Sequence, residues 1–210
     1  RDQPRSRGLG DVYKRQVSEL KIPGLDNILF TSTEANENNR PQLIVTNKIS
    51  LASPIQSLSF EFVCLNGNGE ASYMTDWKNS SYAQSISFTG CAIQNIKRTL
   101  VRISDGSGVF MTDITIDNCV ISEVGTDGYG MINFGKNIDQ LERVSITNST
   151  LINIGDQLMD VKGGIGDVIL ENCTFYNSMD AKKELPKVFR FDNAASTPPS
   201  PKSATMRNLI

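Results

Sequence analysis

Short apolar segments recur along the chain, and each is followed by the same kind of turn. Each begins apolar-x-apolar, turns at Gly or Asn, continues with a small Cys or Ser, and places another apolar residue two positions later. The clearest copies read ISFTGCAIQNI at residues 86–96, ITIDNCVISEV at 114–124, VSITNSTLINI at 144–154 and VILENCTFYNS at 168–178. A looser copy starts at Leu58, and we expect further copies at Ile28 and Leu209. The starts from Leu58 to Val168 lie 28, 28, 30 and 24 residues apart, which is typical of a repeat architecture.

A second short apolar segment lies midway between successive copies. These segments occupy residues 43–45, 73–74, 101–103, 131–134, 158–161 and 188–191. Their period-2 alternation of apolar and polar residues predicts strands, and we find no convincing helical period. A propeller blade needs roughly 40–50 residues, and a sandwich does not place the same turn in successive units. The pattern therefore predicts an all-β fold, a right-handed single-stranded parallel β-helix of about six rungs.

Stacking the copies places equivalent residues in columns. Neighbouring rungs of such a coil lie about 4.8 Å apart, so each inward side chain packs on its equivalent. We expect one apolar column of Leu58, Ile86, Ile114, Val144 and Val168, and a second of Phe60, Phe88, Ile116, Ile146 and Leu170. No rung buries its inner face alone, so the repeats depend on one another for stability.

The turn of each copy predicts a ladder of asparagines. Asn118, Asn148 and Asn172 occupy one equivalent position, and Gly90 takes it in an earlier copy. Asn and Gly both tolerate the left-handed backbone that a sharp corner needs. Stacked amides also hydrogen-bond along the column, so a structural role is favoured over ligand binding.

The cysteines follow the same repeat. Cys91, Cys119 and Cys173 come directly after the turn, with Ser149 in the remaining copy, and alternation places them inside. Small, soft side chains suit a tight corner, and the spacings match no zinc site. We expect reduced, buried thiols, because a bridge between neighbouring rungs would join strands that are already paired. Cys64 has no equivalent partner.

The first sixteen residues differ from the rest of the chain. They read RDQPRSRGLGDVYKRQ, and back-translation of residues 6–16 resembles, in frame, the transposon end of a sequencing-library adapter. We therefore expect residues 1–16 to be foreign to the natural protein. The β-helix domain is expected to occupy residues 17–210 as a truncated fragment, cut at both ends and without its signal peptide.

Composition narrows the function classes. The chain has 210 residues, with 21 Lys and Arg against 23 Asp and Glu, a net charge of -2, and no histidine. The missing imidazole excludes a Ser-His-Asp triad, a Cys-His pair and any His-ligated zinc. Without a basic excess we expect no nucleic-acid partner, and without a run of about 18 apolar residues we expect no membrane span. We predict no metal site and no cofactor.

One run carries a family resemblance. Residues 97–103 read KRTLVRI and directly follow the copy at 86–96. This arrangement resembles pectate-lyase-like β-helix domains of unknown function from bacterial polysaccharide-utilisation systems, in which Arg-Gly-apolar-apolar-Arg is frequent at this point. Thr99 stands here in place of the Gly. The resemblance extends over residues 20–210 and implies an extracellular, cell-surface or periplasmic location near complex glycans.

The strand at residues 101–103 predicts a polar row on the outer surface. If Val101 and Ile103 point inward, Arg102 points outward, and the same rule applies to the later rungs. The row is expected to contain Arg102, Asn133, Asp160 and Arg190, extended by Lys162 and Asp192. The rings of Tyr73, Trp77 and Tyr129 are expected in loops beside it. Arginine binds carboxylates bidentately and aromatic rings stack on sugars, so this surface is the candidate site for a uronate-rich polysaccharide.

Three functions fit these features. The first is an extracellular glycan-associated module that binds acidic polysaccharide without catalysis. The second is a pectate-type lyase in which Lys162 or Arg190 removes a proton beside a uronate carboxylate, with calcium or another cation polarising that carboxylate. Arginine stays protonated in almost any site, so Lys162 is the easier base. The third is a structural spacer or adhesin stalk, in which the polar row is a self-paired, solvated strand surface.

Overall fold

The computed structural model describes residues 14–32, 40–135, 138–179, 187–192 and 201–210, and every regular element in these ranges is a β-strand. In chain order the strands are β1 (Lys14–Ile22), β2 (Asn27–Thr31), β3 (Gln42–Leu51), β4 (Ile55–Glu61), β5 (Cys64–Asn66), β6 (Trp77–Lys78), β7 (Ala83–Thr89), β8 (Ala92–Ile96), β9 (Val101–Asp105), β10 (Phe110–Asp117), β11 (Val120–Val124), β12 (Gly130–Phe134), β13 (Ile138–Thr147), β14 (Thr150–Ile154), β15 (Gln157–Glu171), β16 (Thr174–Tyr176), β17 (Lys187–Asp192) and β18 (Ser203–Arg207). The described residues include no helix long and apolar enough to cross a bilayer.

Three parallel sheets run along one coil axis. Sheet I contains β2, β4, β7, β10, β13, the second half of β15, and β18. Sheet II contains β1, β3, β5, β8, β11, β14 and β16, and sheet III contains β6, β9, β12, the first half of β15, and β17. Each turn passes through sheets I, II and III in that order, and each strand pairs in parallel with its equivalent in the next turn. The fold is therefore a parallel β-helix of about six turns, as the repeat spacing predicts.

The inward columns of sheet I have the predicted register. Leu58 pairs with Ile86, Ile86 with Ile114, Ile114 with Val144, and Val144 with Val168. All five are at most 1 % exposed. They alternate with outward polar residues because successive side chains of a strand point to opposite faces.

The second column of sheet I begins with stacked aromatic rings. The rings of Phe30 and Phe60 lie 5.1 Å apart and those of Phe60 and Phe88 lie 5.4 Å apart, with nearly parallel planes. The pairing of Ile28 with Leu58 also confirms the expected copy at Ile28. This stack fills the first three turns of the coil with large apolar side chains, which dominate the energetics of burial.

The last copy begins at Ala204, and the prediction of Leu209 is wrong. Ala204 pairs with Val168 in the register of the other copies, and Met206 follows in the second column. The separation is longer than in earlier turns because the connections before and after β17, from Tyr176 to Lys187 and from Asp192 to Ser203, are both long, whereas in each earlier turn at least one of the two connections around the sheet III strand is short. The regular spacing of the copies is therefore lost in this winding of the coil. Asn208, which follows the copy, nevertheless occupies the corner position equivalent to Asn172.

The first apolar segment of the second series also lies elsewhere than expected. Residues 43–45 pair in sheet II with β1, and Leu43 pairs there with Leu65 of β5. The same long strand β3 then bends into sheet III, where Ile49 bridges Thr75. The segment at 43–45 is thus a sheet II strand, and its turn reaches sheet III several residues later.

The expected boundary at residue 17 stays a prediction. Residues 1–13 lie outside the described part of the structure, and β1 begins at Lys14. Its first residues pair with β3 in the same parallel manner as the residues after Val17.

The corner between sheets I and II is the predicted asparagine ladder. Asn118, Asn148, Asn172 and Asn208 have φ angles of 53°, 50°, 55° and 50°, and Gly90 has 60°. The Asn172 amide donates to Asn148 Oδ1 at 3.0 Å, and the Asn208 amide donates to Asn172 Oδ1 at 2.8 Å. Asn148 itself donates to a carboxylate of the preceding turn, Asp117, at 2.8 Å. The asparagines therefore satisfy one another in the column, as a structural role requires.

A second ladder lies at the next corner, between sheets II and III. Asn95, Glu123, Asn153 and Asn177 have φ angles between 47° and 59°. The Asn177 amide donates to Asn153 Oδ1 at 2.7 Å, and the Asn153 amide donates to the Glu123 carboxylate. At two of the three corners of the coil, residues with a left-handed backbone are thus joined from turn to turn by hydrogen bonds of their side chains.

The cysteines beside the first corner are free thiols, as expected. Cys91, Cys119 and Cys173 are buried, and each Sγ donates to the carbonyl two residues earlier at 3.3–3.4 Å. Ser149 Oγ makes the equivalent bond to Thr147 at 2.6 Å, which explains why Ser substitutes for Cys in that copy.

The surroundings raise the pKa of three of the four thiols, and the hydrogen bond with Cys119 lowers the pKa of Cys91. Burial raises the pKa of Cys173 above its ordinary value of 9.0, and it raises the pKa of the half-buried Cys64 in the same direction. The hydrogen bond to Cys91 and burial together raise the pKa of Cys119. Cys91, Cys119 and Cys173 are shielded from solvent, so the column is a packing element of the corner.

Candidate functional site

The polar row of sheet III has the predicted register. Arg102 of β9 pairs with Asn133 of β12, which pairs with Asp160 of β15, which pairs with Arg190 of β17. Asn133 and Asp160 are only 6 % and 9 % exposed, and the Asn133 amide donates to Asp160 Oδ2 at 3.0 Å. The middle of the row is therefore a buried polar pair, and its ends carry the arginines.

The flanking residues of the row have different environments. Arg190 is exposed, and Lys162 is half-buried, two residues after Asp160 in β15. Asp192 pairs through its backbone with Lys162, and its side chain lies outside the described part of the structure.

Trp77 lies in the core, which corrects the expectation that its ring lies in a surface loop. It is 1 % exposed and begins β6, where it pairs with Ile103 of the next turn. Because an inward position of a sheet III strand faces the apolar interior, the indole packs there and is removed from the surface. Trp77 is therefore not part of the candidate site.

Arg102 is held by the preceding turn. Its Nη1 forms a 2.8 Å ion pair with Asp76 Oδ1, and its guanidinium lies 4.2 Å from the centroid of the Tyr73 ring. The Arg102 side chain is 24 % exposed. The positive charge of Arg102 is thus matched by a carboxylate and covered on one side by a ring.

Arg98 approaches the same tyrosine from the other direction. Its Nη1 donates to Tyr73 Oη at 2.9 Å, and its guanidinium lies 4.7 Å from the centroid of the Tyr129 ring. The Tyr73 and Tyr129 rings meet edge to face with centroids 6.4 Å apart. Tyr73, Arg98, Arg102 and Tyr129 form one contact group, which we call the arginine–tyrosine cluster.

The sequence brings these side chains together through the corner that precedes sheet III. Thr99 and Leu100 are buried, and Thr99 bridges Tyr73 of the previous turn. Burying these two residues anchors the backbone and leaves Arg98 and Arg102 on the outer side, four residues apart. Arg98 and Arg102, the two arginines of the run at residues 97–103, therefore both contact Tyr73 of the preceding turn.

Tyr129 reaches the cluster from the following turn. The loop that carries it turns at Gly125 and Gly128, which have φ angles of 83° and 90°. The Asp127 amide donates to the carbonyl of Lys97 at 2.9 Å, which docks the loop on the corner that carries Arg98. These contacts leave Tyr129 37 % exposed, so its ring is the more open of the two.

The two arginines differ in electrostatic environment. Among the residues that the structure describes, Arg98 has no carboxylate at ion-pair distance, whereas Arg102 has Asp76. The hydrogen bond to Tyr73 raises the pKa of Arg98, so the group stays cationic. The cluster therefore presents Arg102 in a direct ion pair, and Arg98, on which Asp127 acts electrostatically without an ion pair among the described residues, beside an exposed ring.

Another concavity lies along the edge between sheets III and I. It has a volume of about 440 Å³ and is lined by Asp139, Gln140, Leu141, Glu142, Gly164, Ile165, Gly166, Asp167 and Lys202. The Asp139 carboxylate accepts the Gly108 amide at 2.7 Å, and Asp167 accepts the Ser203 hydroxyl at 2.7 Å. Within the described ranges, no group of three or more Cys, Asp or Glu side chains is placed to hold a metal ion.

Sequence reasoning missed Arg98 and Asp76 as members of the site. Arg98 lies in the run that carries the family resemblance, and its four-residue spacing from Arg102 was the available signal. Asp76 gave no signal, because its contact with Arg102 bridges two turns whose pairing register was unknown.

A comparison with known families places the chain. A family model described as "Domain of unknown function (DUF4957)" matches residues 30–154, which is more than half of the chain. No curated protein and no solved structure matches the chain. The chain belongs to this family of domains of unknown function, and the match contains Tyr73, Arg98, Arg102 and Tyr129.

Proposed function

We propose that this DUF4957 domain is an extracellular glycan-associated module that binds acidic, uronate-rich polysaccharide without cleaving it. The observation that carries the proposal is the arginine–tyrosine cluster, in which two guanidinium groups and two tyrosines from three successive turns meet on the outer surface. Guanidinium groups recognise carboxylates, and tyrosine rings offer an apolar face with a polar edge to a sugar.

The surface around the cluster supports a polymer as the ligand. Arg190 lies three ladder steps from Arg102 in the polar row, a separation of about 14 Å along the coil axis at 4.8 Å per step. Lys162 lies beside this row in β15. Cationic groups so distributed suit a ligand that repeats its negative charge over several sugar units.

Binding is favoured over catalysis by the chemistry of the candidate groups. An elimination needs a neutral base within hydrogen-bond reach of the proton that it removes. An arginine guanidinium has no acceptor lone pair, which argues against Arg190 as this base. Asn133 and Asp160, which lie between the two arginines, are buried and hydrogen-bonded to each other. The row therefore offers charge for recognition, and Lys162 beside it is the candidate base that the lyase alternative would use.

Calorimetric titration with a polygalacturonate oligomer and with a neutral glucan oligomer tests the proposal. We expect the acidic oligomer to bind, the neutral one to bind more weakly, and the affinity for the acidic one to fall with rising salt. The double variant Arg98→Gln/Tyr129→Ala should reduce acid binding by about a hundredfold, on the basis of one charge-assisted contact and one stacked ring.

A matched control uses an arginine and a tyrosine from other surfaces. Arg143 lies on the outer face of sheet I in an ion pair with Asp113, and Tyr176 is 68 % exposed on sheet II. Arg143→Gln/Tyr176→Ala should leave the affinity unchanged. Equal losses in both double variants, or no binding by the wild-type chain, would refute the site.

The same samples distinguish the two alternative functions. A lyase would release unsaturated uronates that absorb ultraviolet light, and Lys162→Ala or Arg190→Ala would abolish the signal. A structural spacer would bind neither oligomer. Binding without release of unsaturated products is the outcome that we expect.

A further inference from the structure

The two cationic groups of the cluster are not equivalent, and this asymmetry suggests how a ligand is selected. The charge of Arg102 is matched by Asp76 at 2.8 Å, and its guanidinium rests on the Tyr73 ring. Arg98 donates to a neutral phenol oxygen and, among the described residues, has no carboxylate at ion-pair distance. A carboxylate that meets Arg98 displaces no direct ion pair among the described residues, although Asp127 acts on Arg98 electrostatically, whereas a carboxylate that meets Arg102 competes with Asp76.

The two rings also differ. Tyr73 is enclosed between the two guanidinium groups, whose carbon atoms lie 5.7 Å and 4.2 Å from its centroid. Tyr129 contacts only Arg98 among the two arginines, and its side chain is 37 % exposed. A sugar ring can therefore approach Tyr129 more readily than Tyr73.

We infer that Arg98 is the residue that gives this site its preference for acidic over neutral sugars, and that Tyr129 is the platform for the sugar ring. Arg102 and Asp76 then act as positioning residues that hold Tyr73, and through its hydroxyl Arg98, in place. This inference rests on the proposed function and assigns separate tasks to the residues of that site.

The arrangement places the ring contact with Tyr129 and the charged contact with Arg98 next to each other. The Arg98 guanidinium covers one face of the Tyr129 ring at 4.7 Å, so a pyranose ring would meet the remaining exposed part of Tyr129 and its carboxylate substituent would reach Arg98 past the ring edge. A sugar without the carboxylate keeps the stacking contact and loses the charged one. Selection by charge and binding by ring contact can thus be separated by mutation.

The test compares one ligand with its neutral counterpart. A tetragalacturonate and its fully methyl-esterified form have the same rings and linkages, and they differ in charge at the carboxyl groups. The ratio of the two affinities measures the preference for acid. A substitution that only disturbs the structure of the cluster would lower both affinities, and it would not specifically move the ratio towards one.

Each variant has its own expected outcome. Arg98→Gln should lower the affinity for the acid about tenfold and leave the affinity for the ester unchanged, so the ratio falls towards one. Arg98→Lys should retain part of the ratio, because it keeps the charge and loses the planar fork. Tyr129→Ala should lower both affinities by the same factor, roughly tenfold, and Tyr129→Phe should change neither.

The control for position is Arg102→Gln, which removes a guanidinium of the same cluster. We expect it to lower both affinities together and to keep the ratio. If Arg102→Gln abolishes the ratio while Arg98→Gln retains it, the inference is overturned although acid binding stands. If the wild-type chain binds the acid and the ester equally well, the inference is wrong and the site is a general glycan site. If the chain binds neither, the proposed function fails first.

Folding is checked in the same series. Circular dichroism and urea unfolding of each variant should match the wild type, because all substituted side chains lie on the outer surface. A variant that loses both affinities and also its unfolding transition is replaced by its conservative partner, Arg98→Lys or Tyr129→Phe, whose ratio then decides.

Discussion

The first corner repeats asparagine in the four turns of Asn118, Asn148, Asn172 and Asn208, whereas the arginine–tyrosine cluster uses each of its residues once. At the corner, Asn148 and Asn172 each contact the equivalent residue or corner of the turn before. In the cluster, Arg98 contacts a tyrosine from the preceding turn and another from the following turn. Repetition is what a coil needs for stability, since each turn depends on its neighbours. Contacts that occur once are not needed by the coil, and they are where function is best sought.

The largest effect is expected where the repeat builds the core. Phe88→Ala removes a ring that stacks on Phe60 at 5.4 Å and is fully buried. The free energy of unfolding should fall by about 3–5 kcal/mol, measured by urea unfolding followed by circular dichroism. Phe110→Ala is the matched control on the next strand of the same sheet, because Phe110 is 53 % exposed. An equal loss in the two variants would contradict the assignment of Phe88 to the core column.

A smaller loss is expected at the asparagine ladder. Asn148→Ala removes the amide that donates to Asp117 and the oxygen that accepts from Asn172. It also leaves an alanine at a φ of 50°, where it lacks the local hydrogen bonds by which an asparagine side chain tolerates this conformation. We expect about 2 kcal/mol of destabilisation in the same unfolding experiment.

Glycine separates the two causes at this position. Asn148→Gly keeps the left-handed backbone and loses only the side-chain bonds, so it should cost about half as much. Asn79→Ala, in an exposed turn, should change the stability by less than about 0.5 kcal/mol. If Asn148→Gly is as stable as the wild type, the hydrogen bonds of the ladder contribute nothing.

The smallest effect is expected in the cluster. Arg98→Gln removes a guanidinium that lies near the Tyr129 and Tyr73 rings on the outer surface. The free energy of unfolding should change by less than about 1 kcal/mol, the size of an exposed cation–π contact. A loss comparable to that of Asn148→Ala would place Arg98 among the structural residues and end the contrast between the two regions.

The repeated parts of the fold are the parts that the sequence predicts. The columns of Leu58 and Phe60, the asparagine ladder and the free thiols follow from spacing alone, because parallel stacking converts equal spacing into spatial neighbours. The second ladder was missed because Glu123 breaks its run of asparagines. The last copy was misplaced because the chain before Ala204 is longer than in other turns.

Contacts outside the repeat are harder to read. Trp77 was expected in a loop beside the polar row, yet it begins the two-residue strand β6 and its ring lies in the core. Arg98 contacts Tyr73, and Asp76 pairs with Arg102, through contacts between turns, and the partners in such contacts depend on where each loop begins. The row from Arg102 to Arg190 has the predicted pairing, and the burial of Asn133 and Asp160 within it was not visible in the pattern.

The register of sheet I has a consequence for how the molecule acquires its shape. Most residues of the sheet find their partner one winding away in sequence, whatever the total number of windings. Adding a new winding to a finished one closes a loop of similar length each time. The entropic cost is therefore similar for each winding, because the cost of closing a loop depends on the number of residues in it. A chain emerging from the ribosome can wind onto itself in the direction of its synthesis. The winding that contains Phe60 and Tyr73 is synthesised before Arg98, so the tyrosine that Arg98 contacts precedes it in the chain.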